Sequence, residues 1–183
     1  IGVRSMAVTG NIGDRDAVAA MRKEIEEKFG RVDILVNCAG GDIGASGNKP
    51  EPNNILGITY EDLMTLTNNN LIGTMLMTQA FVPQMVERQS GIVVNIASVA
   101  AHIGVSHGGI YATLKAAVTH YTRCLADEVR EFGVRVNAVS PGPAKTARFQ
   151  ATRVVDPDKM NSNKASFNRY AEPEEIADGV VFL

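Results

Sequence analysis

Short apolar segments alternate with longer helix-like segments along this chain, and this alternation constrains the fold more than any other feature of the sequence. The predicted strands are apolar runs at residues 3–9, 32–36, 91–97 and 134–139. A continuous apolar run of this length, bounded by turn residues, is typical of a strand buried on both faces of a parallel sheet. Strands that alternate with helices form such sheets with helices on both faces. The sequence therefore predicts an α/β fold with a doubly wound parallel sheet.

The intervening segments carry helix start and stop signals. Asp14 is a suitable N-cap for an apolar stripe that Gly30 ends. Thr59 opens a capping-box-like start, and Gly133 closes a long helix. The predicted helices cover residues 14–30, 59–88 and 110–132 and a last segment from 172 onward. Residues 38–58 are a predicted loop, and residues 143–170 lack clear periodicity.

Composition excludes several classes of protein. The 183 residues match the length of one domain, and 45% hydrophobic residues are enough for one core. Eighteen basic and 20 acidic residues leave a net charge of −2, which argues against a nucleic-acid-binding surface. The apolar stretches 71–83 and 91–105 lack the roughly 20 uninterrupted apolar residues of a membrane helix, and no signal peptide is recognisable. Two cysteines form neither a disulfide framework nor a four-ligand zinc site, so we expect a cytoplasmic protein without a metal.

Tyr111 and Lys115 are four residues apart at the start of a predicted helix, which places both side chains on one face. A tyrosine, with a pKa near 10, is a poor acid/base at pH 7 unless its phenolate is stabilised. Lowering that pKa to about 7 takes about 4 kcal/mol, which a lysine charge at roughly 4 Å supplies in an effective dielectric near 20. The pair is a candidate acid/base, although a core-edge tyrosine beside a solvated lysine explains the same two residues.

Ser98 and Asn70 extend this candidate site. Ser98 follows the predicted strand 91–97, at the edge of the sheet where ligands bind in folds of this kind, so its hydroxyl can hydrogen-bond a substrate oxygen. Asn70 lies inside a predicted helix, where asparagine is unfavourable, and we interpret it as holding a water or freeing a backbone group near the tyrosine. The simpler alternatives are a serine that caps the strand end and a solvated asparagine.

Six motifs occur together in one order along the chain. They are Asn37-Cys38-Ala39-Gly40, Asn70-Leu71-Ile72-Gly73, Asn95-Ile96-Ala97-Ser98, Tyr111-Ala112-Thr113-Leu114-Lys115, Asn137-Ala138-Val139-Ser140-Pro141-Gly142 and Glu172-Pro173-Glu174-Glu175-Ile176-Ala177. Each motif alone is weak, but the combination spans essentially the whole chain and resembles the short-chain dehydrogenase/reductases. The resemblance implies a Rossmann-like sheet in three layers, α/β/α, a single partial domain over residues 1–183, and NAD or NADP as the cofactor.

The resemblance also implies roles for individual residues. Tyr111 is the implied proton donor/acceptor, Ser98 orients the substrate oxygen, and Lys115 lowers the tyrosine pKa and holds the nicotinamide ribose. Asn70 is the implied support of a proton relay. The implied cofactor contacts are Asn11, Ile12, Asn37, Ala39 and Gly40 on the adenosine side, Tyr111 and Lys115 at the ribose, and Pro141, Gly142 and Thr146 at the nicotinamide.

The sequence departs from the family pattern at three places. Cys38 stands where the family commonly has a second Asn, and we interpret it as a small buried structural residue. Asn11 replaces a frequent Asp. The family's glycine-rich phosphate loop, Thr-Gly-x-x-x-Gly-x-Gly, is absent, because the glycine spacing after Thr9 differs. The resemblance therefore implies a natural polypeptide longer by roughly 50–60 residues in front and about 20–30 behind, and a segment 3–9 that lies away from the other strands.

These features predict an NAD(P)-dependent oxidoreductase that transfers a hydride between nicotinamide and a carbonyl or secondary alcohol. A sugar-nucleotide epimerase or dehydratase of the same fold, and a nucleotide-binding regulatory protein without activity, are the alternatives. The loops at 41–57 and 143–170 suit 3-oxoacyl thioesters, polyols, sugars and small ketones about equally. The resemblance implies a homotetramer or homodimer in which helices 59–88 and 110–132 pair across a two-fold axis.

Three further side chains lie in the predicted loops around the site. His102 and His107 fall between Ser98 and Tyr111, and Arg148 follows the Pro141-Gly142 pair. Any of them can reach a substrate from these positions, but a histidine on the loop rim and an exposed loop arginine are the simpler interpretations.

Overall fold

A computed structural model describes residues 3–152, 154–161 and 168–183. The strands are β1 (Ile34–Asn37), β2 (Gly91–Ile96) and β3 (Val134–Val139). The α-helices are α1 (Arg15–Phe29), α2 (Tyr60–Thr67), α3 (Gly73–Glu87), α4 (Gly109–Val129), α5 (Ala147–Thr152), α6 (Pro157–Asn161) and α7 (Pro173–Phe182). A π-helical turn (Asn68–Ile72) joins α2 to α3, and 3₁₀ turns occupy Val99–His102 and Arg130–Phe132. None of the described helices is long and apolar enough to span a bilayer.

The three strands form one parallel sheet in the order β1-β2-β3. The central strand β2 pairs with β1 from Ile92 opposite Ile34, and with β3 from Gly91 opposite Val134. Parallel neighbours bring their carboxyl ends to one edge of the sheet, so Asn37, Ile96 and Val139 end at the same side. The predicted parallel α/β sheet is confirmed.

The sheet is the middle of three layers. Side chains from one face of the strands, including Leu35, Val93 and Val136, pack with apolar residues of α3 and α4 in a single buried cluster. Successive side chains of a strand point to opposite faces, so Arg135 belongs to the other face, where its guanidinium donates to the carbonyl oxygen of Leu183 just after α7. Helices therefore lie on both faces, as the doubly wound interpretation requires.

Most helix boundaries follow from the predicted capping residues. Asp14 accepts hydrogen bonds from the backbone amides of Asp16 and Ala17, and Gly30 ends α1 with a φ of 84°. Thr59 caps α2 by accepting from the Asp62 amide. Glu172 and Glu175 form a reciprocal capping box at the start of α7. These short-range interactions depend on neighbouring residues alone, which is why the sequence predicts them.

Two predicted elements are wrong in part. Residues 3–9 form no strand, because no other described strand lies beside them and a strand needs a neighbour to pair its backbone groups. The helix predicted over 59–88 is divided by the π-helical turn at Asn68–Ile72. Three successive asparagines, which are poor helix formers, occupy that turn, and π turns concentrate at functional sites.

Candidate active site

The carboxyl ends of β2 and β3 open into a cavity of about 490 Å³. Ser98 reaches it from the segment after β2, and Tyr111 from the first turn of α4. Pro141, Gly142 and Thr146 line the opposite wall, on the segment after β3. The structure thus brings together five of the residues that the sequence analysis singled out, from three separate parts of the chain.

Ser98 is held in place by the backbone that follows it. Ser98 is buried, and its Oγ accepts a hydrogen bond from the backbone amide of Ala100 at 3.2 Å. This hydrogen bond caps the 3₁₀ turn that begins at Val99. A hydroxyl can donate one hydrogen bond in addition to those that it accepts. The Ser98 hydroxyl is therefore positioned to donate its hydrogen to a substrate oxygen in the cavity.

Lys115 lies one helical turn after Tyr111 and is 4% exposed. Its Nζ lies 5.7 Å from the centre of the Tyr111 ring and donates to the carbonyl oxygen of Ile96 at 2.8 Å. Burial lowers the pKa of Lys115 from 10.5 to about 8, while the nearby Cys38 side chain acts in the opposite direction. At pH 7 the side chain is thus still an ammonium, close to the tyrosine and weakly solvated.

Asn70 is fully buried in the π-helical turn but does not line the cavity. Its side-chain amide donates to the carbonyl oxygens of Gly41 and Leu66, and its Oδ1 accepts from the Gly41 amide. A Cβ added to Gly40, whose φ is 127°, would lie 2.6 Å from Asn70 Oδ1. Asn70 therefore fastens the loop after β1 to the helix, and glycine at position 40 permits this close approach.

The predicted adenosine-side residues lie around β1. Ile12, Ala39 and Gly40 line a shallow cavity of about 140 Å³, and Ile12, Asn37 and Ala39 line another of about 70 Å³. Asn11 lines neither cavity, and its Oδ1 accepts a hydrogen bond from the Gly13 amide within the turn before α1. Its neighbour Ile12 lines both cavities, so Asn11 lies next to the other predicted contacts and its own contact with the cofactor stays a prediction.

The prediction that Cys38 is buried is wrong, because Cys38 is exposed. Cys38 follows β1, which has a strand neighbour on one side only among the described residues, so less of the sheet covers it. The same position places the Cys38 side chain near Lys115.

The surrounding side chains divide between the cavity and its rim. His107 lines the cavity, whereas the Nε2 of His102 lies 3.1 Å from the Ser140 hydroxyl. Arg148 is exposed but borders two smaller cavities, one of which also contains Tyr111. Asp42 and Lys49 line the main cavity and were missed by the sequence analysis. A charged pair inside a loop rich in Gly and Asn was the signal that could have found them.

The donor set suits the nicotinamide riboside part of a dinucleotide. An ammonium has three N–H donors, and the Ile96 carbonyl takes one from Lys115, so donors are left for the hydroxyls of a ribose. Gly142 borders the cavity, and a Cβ there would meet no atom within 4 Å, so the wall at this point is open to a flat ring. Among the described residues, no group of three His, Cys, Asp or Glu side chains can hold a metal ion.

A serine, a tyrosine and a buried lysine lie together at the carboxyl edge of a parallel α/β sheet, the edge where doubly wound proteins bind nucleotides. Residues 1–183 match the family model described as enoyl-(acyl carrier protein) reductase. The chain therefore belongs to the short-chain dehydrogenase/reductase family. It is an NAD(P)-dependent oxidoreductase that transfers a hydride between nicotinamide and a carbonyl or secondary alcohol.

Individual relatives agree with this assignment. The chain is 32% identical to carbonyl reductase family member 4 of Xenopus laevis over 178 residues, which are 97% of this chain and 70% of that protein. It superposes on the structure titled ElxO with NADP bound with a TM-score of 0.79, at 26% identity, over 94% of this chain and 67% of the other. A short chain dehydrogenase from Mycobacterium smegmatis gives a TM-score of 0.76 at 34% identity, over 98% of this chain and 64% of the other. The fold, the enzyme class and the cofactor class predicted from the sequence are confirmed.

Proposed function

We propose that Tyr111 is the general acid/base of this oxidoreductase, with Ser98 as the group that orients the substrate oxygen and Lys115 as the group that favours phenolate. One observation carries the proposal. Ser98 and Tyr111 line the same cavity, and the ammonium of Lys115 lies 5.7 Å from the tyrosine ring. The positive charge is partly desolvated, so its effect on a neighbouring phenolate is stronger than it would be in water.

The mechanism follows from these positions. The nicotinamide, when bound, supplies or accepts the hydride at the reacting carbon. The Ser98 hydroxyl donates to the oxygen on that carbon and stabilises the negative charge that develops there. Tyr111 gives a proton to this oxygen during reduction and removes it during oxidation. Lys115, anchored by the Ile96 carbonyl, stabilises the phenolate that remains.

The proposed cofactor contacts are arranged in three groups. Pro141, Gly142 and Thr146 border the nicotinamide, Tyr111 and Lys115 contact the ribose, and Asn11, Ile12, Asn37, Ala39 and Gly40 lie on the adenosine side. The positions of the first group in the main cavity support this arrangement. Asn70 acts as a positioning residue, because its side chain bonds the Gly41 backbone, and its support of a proton relay stays a prediction.

The remaining expectations concern the whole protein. We propose that residues 1–183 belong to one domain, since β1, β2, β3, α3 and α4 share one buried cluster. We propose a homodimer or homotetramer in the cytoplasm. A groove of about 550 Å³ along α3 and α4, lined by Val82, Val86, Leu125 and Val129 among others, supports pairing of these helices with a second copy. The mass in solution, measured by light scattering, tests the assembly.

The Tyr111→Phe variant tests the proposed acid/base directly. It removes the phenolic hydroxyl and keeps the ring, so turnover should fall about 10²–10⁴-fold while cofactor affinity changes little. We would measure nicotinamide absorbance at 340 nm with a panel of carbonyl compounds, and cofactor binding by fluorescence. Unchanged turnover in this variant would remove Tyr111 from the mechanism. Product conversion without net change at 340 nm would instead favour the epimerase or dehydratase alternative.

A further inference from the structure

Asp42 carries a buried carboxylate oxygen that no described residue satisfies. The residue is 9% exposed, and its Oδ2 accepts a hydrogen bond from Asn53 Nδ2 at 2.9 Å. Its Oδ1 is also buried and accepts a hydrogen bond from none of the described residues. Leaving a buried acceptor without a donor is costly, and native structures do so rarely. The Asp42 carboxylate thus has unused hydrogen-bond acceptor capacity, and the residue lines a cavity that a ligand can enter.

Asp42 belongs to the wall of the substrate cavity. It lines the cavity of about 490 Å³ together with Ser98 and Tyr111, and it shares a smaller adjoining cavity of about 160 Å³ with Tyr111. Gly108, which directly precedes α4, has a φ of 73°, and a Cβ there would lie 3.3 Å from Asp42 Oδ2. The carboxylate is thus packed against the backbone that leads into the helix of the acid/base.

The local charge favours a neutral donor. Lys49 Nζ lies 3.8 Å from Asp42 Oδ2 and also lines the cavity, so the negative charge already has a cationic neighbour. A hydroxyl group can donate to the Asp42 carboxylate without adding a second positive charge. A hydrocarbon group at this place would instead leave the carboxylate oxygen desolvated and unpaired.

We propose that Asp42 is a specificity-determining residue whose carboxylate accepts a hydrogen bond from a hydroxyl group of the substrate, next to the carbon that exchanges the hydride. The substrate class is therefore hydroxylated ketones and the corresponding diols or polyols, rather than simple ketones or acyl chains. This inference rests on the proposed function, because it concerns the same cavity. A site built to bind a hydroxyl discriminates strongly against the analogue that lacks it.

The test compares pairs of substrates that have nearly the same shape. Hydroxyacetone is paired with 2-butanone, and 2-hydroxycyclohexanone with 2-methylcyclohexanone. The natural full-length enzyme is assayed with NADH and NADPH. We expect kcat/KM to be at least about tenfold higher for the hydroxylated member of each pair, since hydrogen bonds to charged groups are the strong ones.

The Asp42→Asn variant should weaken this preference, because the substrate hydroxyl loses a charged acceptor. Asn53 needs an acceptor, so the new amide would turn its oxygen towards Asn53 and present an N–H donor to the cavity. We expect the preference to fall to less than about threefold, because kcat/KM should fall more for the hydroxylated member of each pair than for the deoxy member. Turnover of the deoxy member also shows that the variant is folded. The Glu51→Gln variant, which changes an exposed carboxylate of the same loop, should keep the full preference.

The outcomes separate the two proposals. Equal losses for both members of a pair in Asp42→Asn indicate a structural role and overturn the inference, as does a wild-type enzyme without a preference. If Tyr111→Phe abolishes turnover of every substrate while Asp42→Asn keeps the preference, the specificity role alone fails. Retained turnover in Tyr111→Phe contradicts the acid/base proposal instead.

Ligand binding provides a second readout that does not depend on turnover. The melting temperature of the enzyme with NADP is measured with 1,2-propanediol and with 2-butanol. The diol should raise the melting temperature more than the mono-alcohol does in the wild type, and Asp42→Asn should reduce that difference. Equal shifts with the two alcohols in the wild type overturn the inference.

Discussion

The central strand β2 and the edge strand β1 show how differently two neighbouring strands of one sheet are supported. β2 has a partner on each side, and Val93 and Val94 are 0% and 1% exposed. β1 pairs only with β2 among the described residues, and its Ile34 and Val36 are 57% and 43% exposed. The two strands have similar apolar sequences, so their difference in burial comes from their position in the sheet.

The predicted site residues also differ between the side of the sheet near β2 and the side near β1. Ser98, which follows β2, and Tyr111, on α4 above it, share one large cavity, whereas the predicted adenosine-side residues around β1 line two shallow ones. The residues proposed for proton transfer therefore share one cavity in the described structure, while the residues proposed for the adenosine side are divided between two. Four substitutions test this contrast.

The largest expected effect is that of Lys115→Met on activity. Without the ammonium the phenolate loses its stabilising charge, and a loss of about 4 kcal/mol corresponds to about a thousandfold lower kcat. The measurement is kcat against pH for the wild type and the variant. Burial lowers the pKa of Lys115 to about 8, so the ammonium loses its proton above that pH. The kcat of the wild type should therefore fall above pH 8. A Lys115→Met variant with more than a tenth of the wild-type kcat would contradict the proposed role of Lys115 in stabilising the phenolate.

Stability against pH provides the control for this variant. The folded-state pKa of Lys115 is lowered, so the unfolded chain binds more protons between pH 8 and 10.5, and stability rises with pH there. The wild type should gain about 2 kcal/mol relative to Lys115→Met between pH 7.5 and 9.5, measured by urea unfolding. Parallel curves for the two proteins would show that the lysine is not desolvated.

A smaller effect, on the free energy of unfolding, is expected where side-chain hydrogen bonds join β2 to β1 and to α4. Asn95 is fully buried, accepts from Asn37 Nδ2 and donates to Thr122 Oγ1, each at 2.9 Å. Asn95→Ala should lower the free energy of unfolding by about 2–4 kcal/mol, because the buried Asn37 amide loses its acceptor. The exposed Asn161→Ala change serves as a control with an effect below about 0.5 kcal/mol. Equal effects at the two positions would refute the importance of these hydrogen bonds.

The smallest effect concerns the edge strand itself. Val93→Ala in β2 should cost about 2–3 kcal/mol of unfolding free energy, since it leaves a cavity in the core. Val36→Ala in β1 should cost less than about 1 kcal/mol, because its side chain is only partly removed from water. Chemical denaturation of both variants gives the comparison. If Val36→Ala costs as much as Val93→Ala, another part of the natural protein covers this face of β1.

Much of the fold could be predicted because its signals are local. The caps at Asp14 and Thr59, the glycine after α1, and strand β3 at its full predicted length depend on residues close in sequence. The spacing of Tyr111 and Lys115 likewise places both on one face of α4. Residues 3–9 show the limit, because their strand-like composition cannot produce a strand without a neighbour to pair with.

The sequence by itself determined the alternation of strands and helices, the helix ends and the types of side chain available for proton transfer, because these depend on periodicity and near neighbours. Only the tertiary structure decided that Asn70 fastens the loop after β1, that Cys38 is exposed and that Asp42 faces the cavity beside Tyr111. Burial and hydrogen-bond satisfaction arise from contacts between residues far apart in the chain. The unsatisfied oxygen of Asp42 therefore results from the packing of its loop against the start of α4, which the sequence alone does not show.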